Sequence, residues 1–488
     1  MRKPNLLIDR RQAMVGGLSA ALIAGCSPRG AWLSTEVDVV VIGGGMAGVA
    51  AALTLEEQGV KVQIVEADKQ LGGRCFSLRT QDGAFDCGAT TIGPNYGSVL
   101  YHANRADVPF IAPNSKDGFS YHINGQFVHP NAWQTSSANL MVGKERGLLP
   151  EQLEFPIVMQ HNKIQDIHNW NADELLAFDV PLGQYLKENG VSEEALRLID
   201  LTSNTMGLDQ TSALFQMREF AGIAPPKEDD AVREVYDAAN GPPGFYNVEG
   251  GMLTLIERIS ENLKSEPILG DAVSAINVEK DAATVTLASG KSIRAKSVIC
   301  TVPYSAMSSI AITPAPTGPK KVALENSLYT LTTHVFFIPT QPYWEKDGHP
   351  AGMVSDDIVE RVMANHDKDG KVAWLDVWIN GTAAAEFDKM EEKEMVGFVQ
   401  RRLGELRPSM KGALSPVGAY SWGRNPYVRG NKHVMRPGDV RGMSNWMATP
   451  ILDRLRFAGE HTRTTQAGLE AAAASGMREA VAYMEMFA

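Results

Sequence analysis

Cysteine is scarce in this 488-residue chain: there are four, and Cys75, Cys87 and Cys300 lie far apart in apolar settings. That spacing provides neither a disulfide framework nor a metal-ligand set, so the three read as small buried hydrophobes. Basic residues are also in the minority, 46 against 57 acidic, for a net charge of −11. A face that binds nucleic-acid phosphates needs the opposite balance, which argues against nucleic acid as the main partner. Beyond the N-terminal segment no apolar run reaches the roughly 18 residues needed to cross a bilayer. What remains is ordinary globular composition, 44% hydrophobic, at a length that favours two interleaved domains over one core.

Residues 1–30 stand apart. Arg2, Lys3 and the pair Arg10-Arg11 precede a mild apolar run from Ala13 to Gly25. The pattern resembles a twin-arginine export signal, although Gln12-Ala13-Met14 departs from the residues that usually follow the pair. The run ends Leu22-Ile23-Ala24-Gly25-Cys26, similar to a bacterial lipoprotein cleavage site with Cys26 as the lipidated residue. The expectation is an exported, periplasmic protein whose membrane attachment is through a lipid anchor alone.

The stretch from Val37 to Arg74 organises the rest. Asp38 to Ile42 is a short Val-rich run, the composition of a strand buried on both faces. It stops at Gly43, and Gly43, Gly45 and Gly48 have G-x-G-x-x-G spacing. The first glycine permits a tight turn, the second lets a pyrophosphate approach the backbone, and the third lets the next helix pack on the strand. That helix, about Ala47 to Gln58, with Met46 just before it also expected at the cofactor, presents its N-terminal N–H groups and positive dipole end to the phosphates. A second strand, Lys61 to Val65, places Glu66 at its tip, where a carboxylate can accept both hydroxyls of an adenosine ribose. Strand, glycines, helix, strand and acid in this order point to a bound dinucleotide.

Leu71-Gly72-Gly73-Arg74 follows after a short link. The glycines let backbone come close to a cofactor, and Arg74 offers a planar donor fork to phosphate. This stretch resembles the second glycine motif of the flavin-containing amine oxidase family, in which Gly73 and Arg74 would meet the FAD pyrophosphate. The resemblance extends over essentially everything after residue 36. Gly83 to Gly93 is similar to the family's FDxGA segment, which would bring Ala89 and Thr90 near the flavin. Asp271-Ala272-Val273 resembles the turn in which the Val273 backbone meets adenine. Arg456-Phe457-Ala458-Gly459-Glu460-His461-Thr462, followed by Gly468-Leu469-Glu470 and a small-residue helix, resembles the C-terminal block. There Glu460 and Leu469 would lie against the cofactor, with the helix N-terminus at the flavin's pyrimidine edge. His461 reads as a structural hydrogen-bonder.

The fold this implies is α/β: a Rossmann-like FAD-binding domain, from residues 36–100, 246–305 and 416–488, interleaved with a mixed-sheet plus helical substrate domain from 101–245 and 306–415. Asn171 to Glu174 and Ser192 read as helix caps, and Glu228-Asp229-Asp230 as a solvated loop. In Val372 to Ile379, Trp374, Asp376 and Trp378 share one face. Two readings are open for that face, a substrate-cavity wall or a strand packed under helices.

The family pattern breaks at the reacting centre. The lysine that holds a water near flavin N5 falls on His334, and the first of two aromatics flanking the amine falls on Lys432. The second aromatic falls at Gly468 or in a one-residue deletion before Leu469. His334 and Lys432 are therefore the catalytic candidates. The resemblance implies noncovalent FAD, since nothing here is similar to the cysteine that some members use for attachment. It also implies oxidation of a C–N bond in an amine or amino acid by hydride transfer to flavin N5. Without the lysine, reduced flavin is expected to react slowly with O2, which leaves a quinone or cytochrome as the alternative electron acceptor. Lys432 suits an anionic or polar substrate group, such as a carboxylate, unless it points to solvent. Two other readings stay open: a FAD-dependent desaturase acting on C–C bonds, and a non-catalytic FAD-binding partner of another oxidase.

Overall fold

In the computed structural model the described residues are 37–111, 118–223, 245–367 and 369–487. Residues 1–30, on which the expectation of export rests, and Glu228-Asp229-Asp230 lie outside them. Strand β1 (Val37–Ile42), helix α1 (Met46–Glu57) and strand β2 (Val62–Glu66) form the unit the glycine spacing predicts. β1 runs parallel to β2 on one side, Val39 opposite Val62, and parallel to Ser292–Cys300 on the other. Its side chains serve two cores. Val39 and Val41 pack with Ala47, Ala51 and Ala52 of α1. Val40 and Ile42 pack in a second cluster with Val298 and Phe457. Burial on both faces is why the run is apolar without alternation.

These strands belong to an eight-stranded sheet that also takes in Ile268–Leu269, Val273–Val278, Ala283–Leu287, Ala311–Thr313 and Leu455–Phe457. Helix α1 lies between β1 and the C-terminal helix Gly468–Phe487. The approach is close at both contacts. A Cβ on Gly48 would sit 1.9 Å from the Gly43 carbonyl oxygen, and one on Gly476 would sit 2.1 Å from that of Ala47.

A second, seven-stranded sheet runs in the order Leu414–Ser421, Thr332–Pro339, Val372–Asn380, Arg361–His366, Gly352–Ser355, Phe119–Ile123, Gln126–Val128. It is antiparallel except where Gly352–Ser355 meets Phe119–Ile123. Leu375, Val377 and Ile379 face one core together with Val335 and Phe337. Short helices between residues 130 and 223 pack against this sheet through Leu182, Leu198 and Tyr121.

Between Leu328 and Pro339 the chain forms two strands, Leu328–Tyr329 and Thr332–Pro339, because the first pairs with His433–Val434 and the second enters the seven-stranded sheet. Ser192 does cap its helix, its Oγ accepting from Ala195 N at 3.2 Å. Asn171 does not: its Nδ2 donates to Ser444 Oγ and Asn445 Oδ1, and a 3-10 turn Asp173–Phe178 follows. No helix among the described residues is long and apolar enough to cross a membrane.

Candidate active site

A cavity of about 390 Å³ opens where the C-terminal ends of β1 and β2 meet the second sheet. Gly43, Gly45, Met46, Ala47, Glu66, Gly73, Arg74, Ala89, Thr90, Val273, Lys432, Glu460 and Leu469 all line it. Residues spread over the chain thus converge on one wall. Gly48 is not on that wall. Its place is beneath the turn, against Gly43, where any side chain would clash.

The geometry of the two glycine turns explains why the space is there. Gly43 adopts φ +103°, a left-handed conformation that bends the chain sharply out of β1. Gly72 N donates to Gly44 O at 2.9 Å, so the second turn is tied to the first. Glu66 accepts from Gly44 N at 2.6 Å through Oε2 and from Asp68 N at 2.8 Å through Oε1. Burial pushes this carboxyl up, against the pull of those backbone N–H groups. Each oxygen keeps lone-pair capacity for a further donor, as a ribose diol requires. Gly468, Leu469 and Ala472, in the first turns of the C-terminal helix, close the opposite side and present the positive end of its dipole.

Arg74 Nη1 donates both to Asn431 O at 2.8 Å and to Glu460 Oε1 at 2.7 Å. Nη2 and Nε make no hydrogen bond among the described residues, so part of the guanidinium fork remains for a phosphate. The chain therefore has what FAD needs: a backbone cradle free of Cβ atoms, an acid for the ribose and donors for the pyrophosphate. Cys75 also lines the cavity, but burial pushes its thiol up to about 12. A protonated thiol is a poor nucleophile for covalent attachment.

Behind Lys432 and Glu460 lies a buried charge cluster that the sequence did not disclose. Glu219, on the helix Ala213–Ile223, receives Arg218 Nη1 at 2.5 Å, Lys432 Nζ at 2.8 Å and Arg463 Nη1. Arg463 Nη2 also reaches Glu460 Oε2. Burial alone would raise the Glu219 carboxyl, but Arg463, then Lys432 and Arg218, hold it well below the carboxylate range. Glu460 is likewise brought down to about 2, burial being overcome by Arg463 and Arg74. The available signal was Arg218-Glu219, two adjacent charges in the otherwise apolar helix ALFQMREFAGI. Such a helix cannot send both to solvent without exposing its apolar residues.

Lys432 thus does not point away into solvent. Its backbone is clamped to Thr330 (Lys432 N to Oγ1, 3.1 Å; Thr330 N to Lys432 O, 2.8 Å), and its side chain stands between the cavity and Glu219. His334, the other catalytic candidate, is corrected: it is fully buried and does not line the cavity. Asp376 draws its Nδ1 to 3.0 Å from both carboxylate oxygens, and its ring packs against Trp378, centroids 5.0 Å apart. Trp378 itself is on the wall. The indole–carboxylate face therefore divides. Trp378 meets the cavity, Asp376 serves His334, and Trp374 packs on Phe85 and Phe336. His461 makes no hydrogen bond through either ring nitrogen among the described residues. It packs against Tyr304 instead in a tilted ring contact, centroids 4.3 Å apart, and burial keeps it neutral. Asn204, Tyr96 and Tyr427 also line the cavity.

Comparison with known proteins agrees with this architecture. Residues 46–484 match the model of the flavin containing amine oxidoreductase family. The chain is 23% identical over 470 residues to the flavin-dependent L-tryptophan oxidase RebO of Lentzea aerocolonigenes, covering 90% of this chain and 96% of that one. It is 24% identical to an L-amino-acid oxidase of Mus musculus (92% of this chain, 71% of that one). It is also 24% identical to the flavin-containing amine oxidase B of Homo sapiens (92% and 86%). Among solved structures, cyclohexylamine oxidase from Brevibacterium oxydans shares the fold with a TM-score of 0.75 at 18% identity, over 93% of this chain and all of that one. Putrescine oxidase bound to putrescine does so with a TM-score of 0.74 at 17% identity (92% and 99%). With a family match that spans most of its length and a cavity shaped for a dinucleotide, the chain belongs to the flavin-containing amine oxidoreductases and is an FAD-dependent enzyme of the amine oxidase type.

Proposed function

We propose that the chain oxidises the Cα–N bond of an L-amino acid, or of a closely similar small amine that carries an anionic group. The observation that carries this reading is Lys432: an ammonium stands on the cavity wall where the family resemblance leads one to expect an aromatic side chain. The names of two relatives, an L-tryptophan oxidase and an L-amino-acid oxidase, support it. When bound, FAD supplies the acceptor for two electrons and the Cα hydrogen, transferred as hydride. The nitrogen lone pair forms the C=N bond, and water later releases ammonium and the carbonyl product. The chain's own residues hold the substrate for this. Trp378, Leu469 and Ala472 give the wall an apolar stretch that excludes water, and Lys432 offers charge to the anionic group.

FAD is held noncovalently in this reading, in keeping with the protonated Cys75 thiol. A quinone or cytochrome is the electron acceptor in preference to O2, because position 334 is not a lysine and His334 is turned to Asp376. Export to the periplasm with a lipid on Cys26 follows the N-terminal sequence pattern. The test is anaerobic bleaching of the oxidised-flavin absorbance by a panel of amines, polyamines and L-amino acids, followed by mixing with air, a quinone or cytochrome c. Bleaching by L-amino acids supports the reading. Bleaching by simple amines alone refutes it, and no bleaching by any of them favours the desaturase or the non-catalytic partner.

A further inference from the structure

Glu219 is 2% exposed and lies where three cations meet. Two of them are sealed in: the side chains of Arg218 and Arg463 are 0% and 3% exposed. Lys432 retains 32% and lines the cavity. Of the three, it alone presents charge to a ligand. Arg218 is further committed to the carbonyls of Thr464 and Gln466, and Arg463 to those of His433 and Glu460. His433, beside Arg463, is kept neutral by burial, its imidazole brought down to about 3. Within the cluster, Arg74, Arg218, Arg463 and Lys432 face only Glu219 and Glu460. Glu154, which senses Lys432, is pushed up to about 7 by burial and is tied to Gln216 at 2.7 Å. The sealed guanidiniums of Arg218 and Arg463 match Glu219 and Glu460, so the surplus positive charge sits on Arg74 and Lys432 at the cavity, where an anion can meet it.

We propose that Glu219 is the positioning residue of a carboxylate subsite, fixing Lys432 Nζ on the cavity wall to receive the α-carboxylate of an amino-acid substrate. This rests on the amino-acid reading given above. Lys432 Nζ lies 2.8 Å from Glu219 Oε2 as an ion pair, and the ammonium keeps N–H donors for a ligand. Because Glu219 is shared with two guanidiniums, it anchors Lys432 without cancelling its charge. Without Glu219, Lys432 faces Arg463 and Arg218 with no anion between them, and like-charge repulsion drives it off the wall.

The test uses the FAD-loaded enzyme and the variants Lys432→Met, Glu219→Asp and Glu219→Gln. Each is assayed with L-phenylalanine and with 2-phenylethylamine, the same skeleton without the carboxylate. Binding of benzoate, a carboxylate that cannot be oxidised, is read from the flavin absorbance. Loss of one charged hydrogen bond predicts that Lys432→Met raises the L-phenylalanine KM and the benzoate Kd about 10- to 100-fold. Its kcat stays within a few-fold, and the KM for the amine holds or falls. Glu219→Asp keeps the charge but withdraws it, giving a smaller shift in the same direction. Glu219→Gln gives a larger one, and if it fails to fold, Glu219→Asp carries the test. If wild type oxidises L-phenylalanine but the variants leave the amino-acid to amine ratio unchanged, the subsite is wrong and the amino-acid reading stands. If wild type prefers the amine and benzoate does not bind, the amino-acid reading fails first.

Discussion

Gly45 and Gly48 offer a direct separation of cofactor space from packing space. At Gly45 the backbone is extended (φ −80°, ψ −176°), a conformation any residue adopts, and a Cβ there would come no closer than 3.6 Å to Gly73 Cα. Gly45→Ala therefore costs the folded apoprotein nothing sterically. The smaller unfolded-chain entropy should even leave it neutral to about 1 kcal/mol more stable. The new methyl group, however, projects from a cavity-lining position where a pyrophosphate must touch backbone N–H groups. Losing two charge-assisted contacts at roughly 1.5–3 kcal/mol each weakens FAD binding by about 100- to 10,000-fold. At Gly48 the same substitution puts Cβ 1.9 Å from the Gly43 carbonyl oxygen, and the neighbour is backbone, so helix and strand must separate by more than 1 Å. Overpacking of that kind costs about 1–3 kcal/mol or more and should lower apoprotein stability first. Urea unfolding of both apoproteins, with FAD titrated by quenching of its fluorescence, reads both quantities. A Gly45→Ala protein that binds FAD as tightly as wild type would refute the cradle. One destabilised as much as Gly48→Ala would show that the turn has no free space.

The remaining predictions concern charge and attachment. Burial pushes the Glu360 carboxyl up to about 8, opposed by the Asn380 N–H and Arg361. A raised folded-state value means stability that is fully present below the ordinary carboxylate range and lost as pH rises toward 8. Glu360→Gln keeps the acceptor for Asn380 N (2.9 Å in wild type) and removes the titration. It should therefore gain on the order of 2–4 kcal/mol over wild type at pH 8 relative to pH 5, read by denaturant unfolding at the two pH values. Acid precipitation should leave the flavin in the supernatant, since no thiolate faces the cavity; colour retained in the pellet would contradict this.

The first 40 described residues were legible because their constraints are local. A strand buried on both faces must be apolar throughout, a turn of this sharpness needs Gly43, and the acid at the end of β2 is fixed by strand length alone. Lys432 was also reachable, since the family resemblance assigns its position to the cavity, where it lies. His334 shows the limit. The resemblance put it at the family's lysine position, but whether an imidazole meets the cavity or turns to a carboxylate depends on Asp376, on another strand. Trp374, Asp376 and Trp378 make the same point: period-two alternation groups them, while the neighbours of each decide three different fates. Of the Glu219 cluster only the adjacent Arg218-Glu219 was a signal, because the pairings of Glu219 with Lys432 and Arg463 span more than 200 residues. No periodicity encodes such a pairing.

The cluster is also where local consistency fails, and that failure is informative. Replacing a buried ion network by apolar side chains of similar volume is often neutral or stabilising. A chain selected only for a firm fold would have little reason to place Arg218, Glu219, Arg463 and Glu460 in its interior. The fold already has apolar cores on both sheets. What the charges add is a wall that is rigid, polar and short of anions next to a cavity whose cofactor and proposed substrate both carry them. The phosphate side has Arg74, with donors to spare, and the other has Lys432, held in place from behind. Glu460 and Arg463 join the two, because Arg463 binds Glu460 and Glu219 at once. Filling one half with an anion therefore changes the field at the other. FAD loading and carboxylate binding should weaken each other electrostatically even where they never touch.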